Sequence, residues 1–163
     1  MGWFSKKKET VEIVSPVEGD VIPITQVPDE VFAGKMMGDG FAVNPTNGEI
    51  VAPVTGKVTF IADTKHGIGL TSDAGVELII HMGIDTVNLK GEPFDIKVNL
   101  NEKVQTGTPL VTIDLNAVKK AGLNPVIIIA ITNFTDLGKK LDLQTGLIKA
   151  GNKVATLSSV SYT

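Results

Sequence analysis

His66-Gly67-Ile68-Gly69-Leu70-Thr71-Ser72-Asp73-Ala74-Gly75-Val76-Glu77-Leu78-Ile79-Ile80-His81 reads as two short strands reversing at Asp73-Ala74-Gly75. Short apolar and β-branched runs bounded by turn residues mark strands, and the Asp-Ala-Gly cluster marks the reversal. If Ser72 to Gly75 closes a two-residue hairpin, Ser72 opposes Gly75, and each step back on one strand matches a step forward on the other. Six steps take Ser72 to His66 and Gly75 to His81, so the chain's two histidines face each other with Cβ atoms ~5 Å apart. Alternation puts Glu77, Ile79 and His81 on one face and Leu78, Ile80 and Met82 on the other, the second being the core face. The glycines at 67 and 69 can introduce a bulge, and a slip of one residue would separate the pair.

Outward from this hairpin, turn signals recur at Glu18-Gly19-Asp20, Asn47-Gly48, Thr55-Gly56 and Thr106-Gly107. Strands are expected at 12–15, 20–24, 41–43, 49–52, 57–62, 68–72, 76–81, near 104, and at 110–113, 126–131 and 153–157. Short helices are expected at 29–33 and at 115–120, the latter capped by Asp114 and stopped by Gly122. The fold class is therefore all-β, an antiparallel β-sandwich or barrel-sandwich hybrid with a few short helices. Residues 1–10 read as a flexible basic tail and 11–163 as one domain. Ser15-Pro16-Val17-Glu18-Gly19-Asp20-Val21 echoes Ala52-Pro53-Val54-Thr55-Gly56-Lys57-Val58, which fits either a duplicated hairpin or turn chemistry reached twice.

Composition narrows the functions. The 163 residues carry a formal charge of −3 with no cysteine, and every one of the fifteen basic residues is lysine. Thiolate metal sites and cysteine nucleophiles are excluded, and a nucleic-acid reader would show a basic stripe with arginine forks. No apolar run is long enough to span a bilayer, and no secretory signal is visible, so a cytoplasmic protein with at most peripheral membrane contact through Trp3, Phe4 and the adjoining lysines is expected. Thr55-Gly56-Lys57-Val58 fails the phosphate-binding loop pattern, so ATP is not the expected phosphoryl donor.

Two facing imidazoles allow two chemistries. A neutral imidazole is a nucleophile near pH 7, and its neighbour can hydrogen-bond the oxygens of a transferred phosphoryl group. The same pair, His66 and His81, can bind zinc, although catalytic zinc normally takes three protein ligands and no His-x-His or His-Glu-x-x-His pattern completes a set. From spacing alone, two structural histidines satisfying loop carbonyls is an equal alternative.

Gly75-Val76-Glu77-Leu78-Ile79-Ile80-His81-Met82-Gly83-Ile84-Asp85-Thr86-Val87 resembles the phosphorylation-site signature of the glucose-type enzyme IIA of the bacterial phosphoenolpyruvate-dependent sugar phosphotransferase system. Gly38-Asp39-Gly40, Val51-Ala52-Pro53-Val54-x-Gly56, Thr64-x-His66 and Val104-x-x-Gly107 extend the resemblance over the chain beyond its tail. The resemblance implies a monomeric phosphocarrier that takes phosphate on Nε2 of His81 from the histidine-containing phosphocarrier protein and passes it to a cysteine of a permease IIB domain. No cofactor is required. His66 would be the partner imidazole, Thr64 would orient the pair, and backbone near Gly83 would fix the His81 tautomer through Nδ1. Asp39 and Asp85 would receive a partner arginine, and Phe41, Val43 and Ile79 would form an apolar docking rim, although Phe41 and Val43 alternate equally well as strand core. Lys65, beside His66, would favour the phosphorylated form. A zinc-dependent hydrolase of related barrel architecture is the alternative function. A prosthetic-group carrier is a third reading, weakened because Lys35-Met36-Met37 lacks the biotinyl Met-Lys-Met order.

Overall fold

Strands dominate because apolar residues here alternate or cluster in runs of three to seven between turn residues, too short for helices to bury a stripe. The computed structural model describes residues 10–160, so the tail expected over 1–10 lies, but for Thr10, outside the described residues. Eight antiparallel strands form the largest sheet, in the order Gly146–Ile148, Gly19–Pro23, Gly40–Pro45, Ile127–Ile131, Glu77–Met82, Gly67–Ser72, Gly56–Ile61 and Lys103–Val104. Two three-stranded sheets pack with it: Val11–Val14, Lys153–Ser159 and Lys139–Leu143, and Glu49–Val51, Pro109–Ile113 and Phe94–Ile96. The sheets do not close into a barrel. The main core between them includes Ile13, Phe41, Ile50, Ile80, Leu110 and Ile129, each essentially inaccessible.

The sequence echo is a true duplication of structure. Val14 N–H donates to Pro53 O, and Val51 N–H returns the bond to Pro16 O. Ser15 N–H reaches Asn152 O, as Ala52 N–H reaches Thr108 O; Ser15 O accepts from Gly151 N, as Ala52 O accepts from Gly107 N. Thr46 N–H meets Glu18 O where Asp73 N–H meets Thr55 O. A two-fold relation between halves of the chain accounts for every one of these pairs. Its axis passes through the central antiparallel pair, Glu77–Met82 against Ile127–Ile131, where Ala130 opposes Ile79 and His81 opposes Ile128. The relation carries His81 onto Ala130 and His66 onto Asp39: Met82 N–H binds His66 O at 2.7 Å, and Ile131 N–H binds Asp39 O at 2.8 Å.

One connection breaks the symmetry. Between Gly56–Ile61 and Gly67–Ser72 the chain turns back through 62–66, whereas between Gly19–Pro23 and Gly40–Pro45 it inserts a 3-10 turn, Ile24–Gln26, and a short helix, Glu30–Ala33. This longer segment closes over the outer face of the sheet, where Ile24, Val27 and Phe32 bury Ala42, Ile128 and Ala130 in a second, smaller core. Asp29 caps the helix, its Oδ1 accepting from the backbone N–H groups of Val31 at 2.9 Å and Phe32 at 3.4 Å.

Gly19 and Gly56 begin matching strands, and an added Cβ would run into the Asn44 carbonyl oxygen at one and the Thr71 carbonyl oxygen at the other. Because ladder backbone cannot yield as a flexible side chain can, Gly19→Ala and Gly56→Ala should each destabilise the fold by about 2 kcal/mol or more. Urea unfolding should return losses of similar size. A neutral effect at either position would contradict the equivalence.

Candidate functional site

The hairpin turn sets where the histidines meet. Gly75 N–H donates to Ser72 O at 2.9 Å, Ser72 N–H donates to Val76 O at 2.8 Å, and Gly75 sits at φ +86°, where a side chain would be strained. Asp73, Ala74 and Gly75 therefore form a three-residue loop with a left-handed third residue, and the two-residue turn expected from sequence is corrected. The Ser72 hydroxyl also accepts from Val76 N–H at 2.9 Å. The extra loop residue shifts the register by one, so that Gly67, not His66, opposes His81.

The rings meet despite the shift. His66 precedes the strand and follows Lys65, whose φ of 65° is left-handed, so strict alternation does not govern its side chain. Its ring centroid lies 5.1 Å from that of His81, edge to face at 80°. Gly67 puts no side chain between them. Leu78, Ile80 and Met82 are buried as alternation demands, while Ile79 and His81 stay partly accessible on the other face.

Thr64 Oγ1 lies 2.7 Å from His66 Nδ1, a hydrogen bond that fixes the ring's orientation. His81 is held differently. Its Nδ1 is sealed from solvent and meets no group in good hydrogen-bond geometry, although the Gly83 backbone acts on the ring so as to favour its charged form. A backbone group with that effect acts through its carbonyl, and the Gly83 N–H is already committed to Val126 O at 2.8 Å. With Nδ1 shut in and the residue still partly exposed, Nε2 is the ring nitrogen left to face a partner. Phe32, from the covering helix, packs its ring 5.0 Å from that of His81 at 54°.

The sequence model of the family described as phosphoenolpyruvate-dependent sugar phosphotransferase system, EIIA 1, matches residues 11–137. A glucose-specific EIIA component of Staphylococcus aureus is 41% identical over 156 residues, covering 93% of each chain. This chain belongs to the glucose-type EIIA family. Glucose permease IIA from Mycoplasma capricolum shares its fold at a TM-score of 0.81 with 37% identity, over 90% of this chain and 95% of that one. Glucose-specific EIICBA components are also similar: that of Staphylococcus carnosus is 44% identical over 90% of this chain, and that of Streptococcus pneumoniae 46% over 91%. The chain spans only 23% and 20% of the lengths of those two relatives.

Within this EIIA chain the expected site residues divide. His66, His81 and Thr64 come together, with Gly83 behind His81 and Ile79 packed beside the smaller core. Phe41 and Val43 do not reach a rim: both are fully buried, because their side of the strand faces the main core. Exposed apolar side chains sit instead on the covering segment, at Val31 and Met36. Asp39 is engaged by its neighbours, accepting from Gly40 N–H at 2.8 Å and pairing with Lys35 Nζ at 3.5 Å. The carboxylates whose charge reaches His81 are Asp29 and Asp85. The Lys65 stem runs toward Gly91. Two imidazoles fall short of the three protein ligands of a catalytic zinc, and among the described residues no cluster of three His, Asp or Glu supplies the remainder. No helix among them is long and apolar enough to cross a membrane.

Burial pushes the pKa of His81 below its ordinary value; the neighbouring His66 lowers it further, against opposing pulls from Gly83, Asp29 and Asp85. Burial lowers that of His66 as well. Both rings are therefore neutral at pH 7. Because the folded state binds protons less readily than the unfolded chain, this part of the stability is complete above about pH 6.5 and is lost as pH falls through the folded pKa values. Urea titrations at pH 7 and pH 5 should show wild type losing more stability than the His66→Gln/His81→Ala double variant, in which the carboxylate contribution is retained. Equal losses would mean that the fold does not favour neutral histidines.

Proposed function

We propose that this EIIA chain is a cytoplasmic, monomeric phosphocarrier whose His81 Nε2 accepts a phosphoryl group from the phosphohistidine of the small carrier protein and yields it to a cysteine of a IIB domain. The observation that carries the reading is a neutral, partly exposed imidazole whose Nδ1 is sealed while a second imidazole stands 5.1 Å away. Nothing in this geometry favours the zinc hydrolase.

In the accepting step the Nε2 lone pair of His81 attacks phosphorus, the donor's N–P bond breaks, and its electron pair returns to the donor ring. Nδ1–H stays in place, and the Gly83 carbonyl steadies the positive character that the ring acquires. Thr64 donates its hydroxyl to His66 Nδ1, which places the His66 proton on Nε2, ready to bond a phosphoryl oxygen. In the second step a cysteine thiolate attacks, a P–S bond forms, and the electron pair of the broken N–P bond returns to His81. The transition state of such a transfer is loose, so alignment and donors to the equatorial oxygens supply the acceleration. Asp29 and Asp85 give the face a negative rim suited to a cationic partner.

His81→Ala should abolish the acid-labile phosphoryl group gained from phosphoenolpyruvate, the system's first enzyme and the small carrier, read by intact mass. His66→Gln should still accept phosphate but pass it to IIB about 100-fold more slowly, because a flexible amide replaces the ring donor that Thr64 orients. Undiminished labelling of His81→Ala would overturn the proposal.

A further inference from the structure

Phe60 is an exposed aromatic residue on the same sheet face as His81. Its side chain lies over two glycines of the next strand: a Cβ at Gly67 would touch the Phe60 ring at 3.9 Å, and one at Gly69 would press on the Phe60 Cβ at 3.0 Å. Gly67 opposes His81 and Gly69 opposes Ile79, so a trough without side chains runs beside the phosphoryl-accepting strand and Phe60 closes its far wall. A bulge in the Gly56–Ile61 strand between Val58 and Phe60 breaks the alternation there. Phe60 remains 47% exposed although its neighbours in the trough are buried.

We infer that Phe60 is an apolar anchor for the protein that donates the phosphoryl group, and so a specificity-determining residue for the accepting step. The inference rests on the carrier reading above and names part of the surface that reading requires. Phe60 is two strands from His81, about 10 Å across the sheet. A protein interface of standard size covers about 800 Å² on each partner, a disc of roughly 16 Å radius, so a donor centred on Nε2 must cover the ring. The donor is the occupant for an electrostatic reason. It meets His81 neutral, and Asp29 and Asp85, which draw a partner's cationic side chains, oppose the phosphoryl group it carries, so apolar burial adds the attraction that charge leaves incomplete. An acceptor meets the phosphorylated form, whose added negative charge itself draws a cationic partner.

Phe60→Ala, Phe60→Leu and wild type should be compared in phosphorylation by the small phosphohistidine carrier and, separately, by phosphoramidate, which needs no docking. For Phe60→Ala the KM for the protein donor should rise about tenfold with kcat unchanged, and Phe60→Leu should recover most of the loss. Phosphoramidate labelling of His81 and the thermal unfolding profile should match wild type. An unchanged KM would overturn the inference, as would a parallel loss with phosphoramidate, which would mean a distorted site. Normal acceptance with slowed transfer to IIB would assign the anchor to the acceptor and also overturn it. Failure of wild type with both donors would instead defeat the carrier reading itself.

Discussion

The pairing of Glu77–Met82 with Ile127–Ile131 at the centre of the large sheet is the constraint on which the rest of the molecule depends. It relates the two halves of the chain, seals an apolar core on one side, and leaves His81 on the other opposite Ile128. A one-residue slip in this ladder would turn His81 into the core and Ile80 or Met82 out, at a cost of several buried side chains, so the position of the His81 ring is fixed by hydrophobic burial. Local hydrogen bonds then refine it.

The two halves use the same backbone differently. In one, the short return through 62–66 leaves the outer face open, and the positions marked by the symmetry hold His66 and His81. In the other, those positions hold Asp39 and Ala130, and the segment from Ile24 to the Glu30–Ala33 helix packs over Ala130. That covering segment also delivers Phe32 against the His81 ring and Asp29 within electrostatic reach of it. The site is thus built across the symmetry axis, with the imidazoles from one half and their apolar and acidic surroundings partly from the other.

Much of this was legible in the sequence. Apolar runs, turn residues and the Asp114 cap mark eleven of the strands and two helices, and alternation identifies the buried face of the His81 strand. The strands Phe94–Ile96, Lys139–Leu143 and Gly146–Ile148 carry no such signal because they are half polar or only three residues long. The turn is ambiguous in sequence because Gly75 serves equally as the residue closing a two-residue hairpin and as the left-handed third residue of a longer loop. The longer loop slips the register, and the left-handed Lys65 then brings His66 back to its partner, a compensation no periodicity could reveal. Phe41 and Val43 fit rim and core equally by alternation, and their burial in the main core decides between the two. A short helix at 29–33 is legible in the sequence, but its docking over His81 is a tertiary fact.

In the proposed carrier, Nε2 of His81 takes the phosphoryl group while Nδ1 stays enclosed. Phosphorus–nitrogen coupling in the phosphorylated protein, with histidine ring nitrogens labelled, tests it directly. A single coupling is expected, to Nε2 of His81, with the Nδ1 proton retained. Coupling to Nδ1, or phosphate resident on His66, would contradict it.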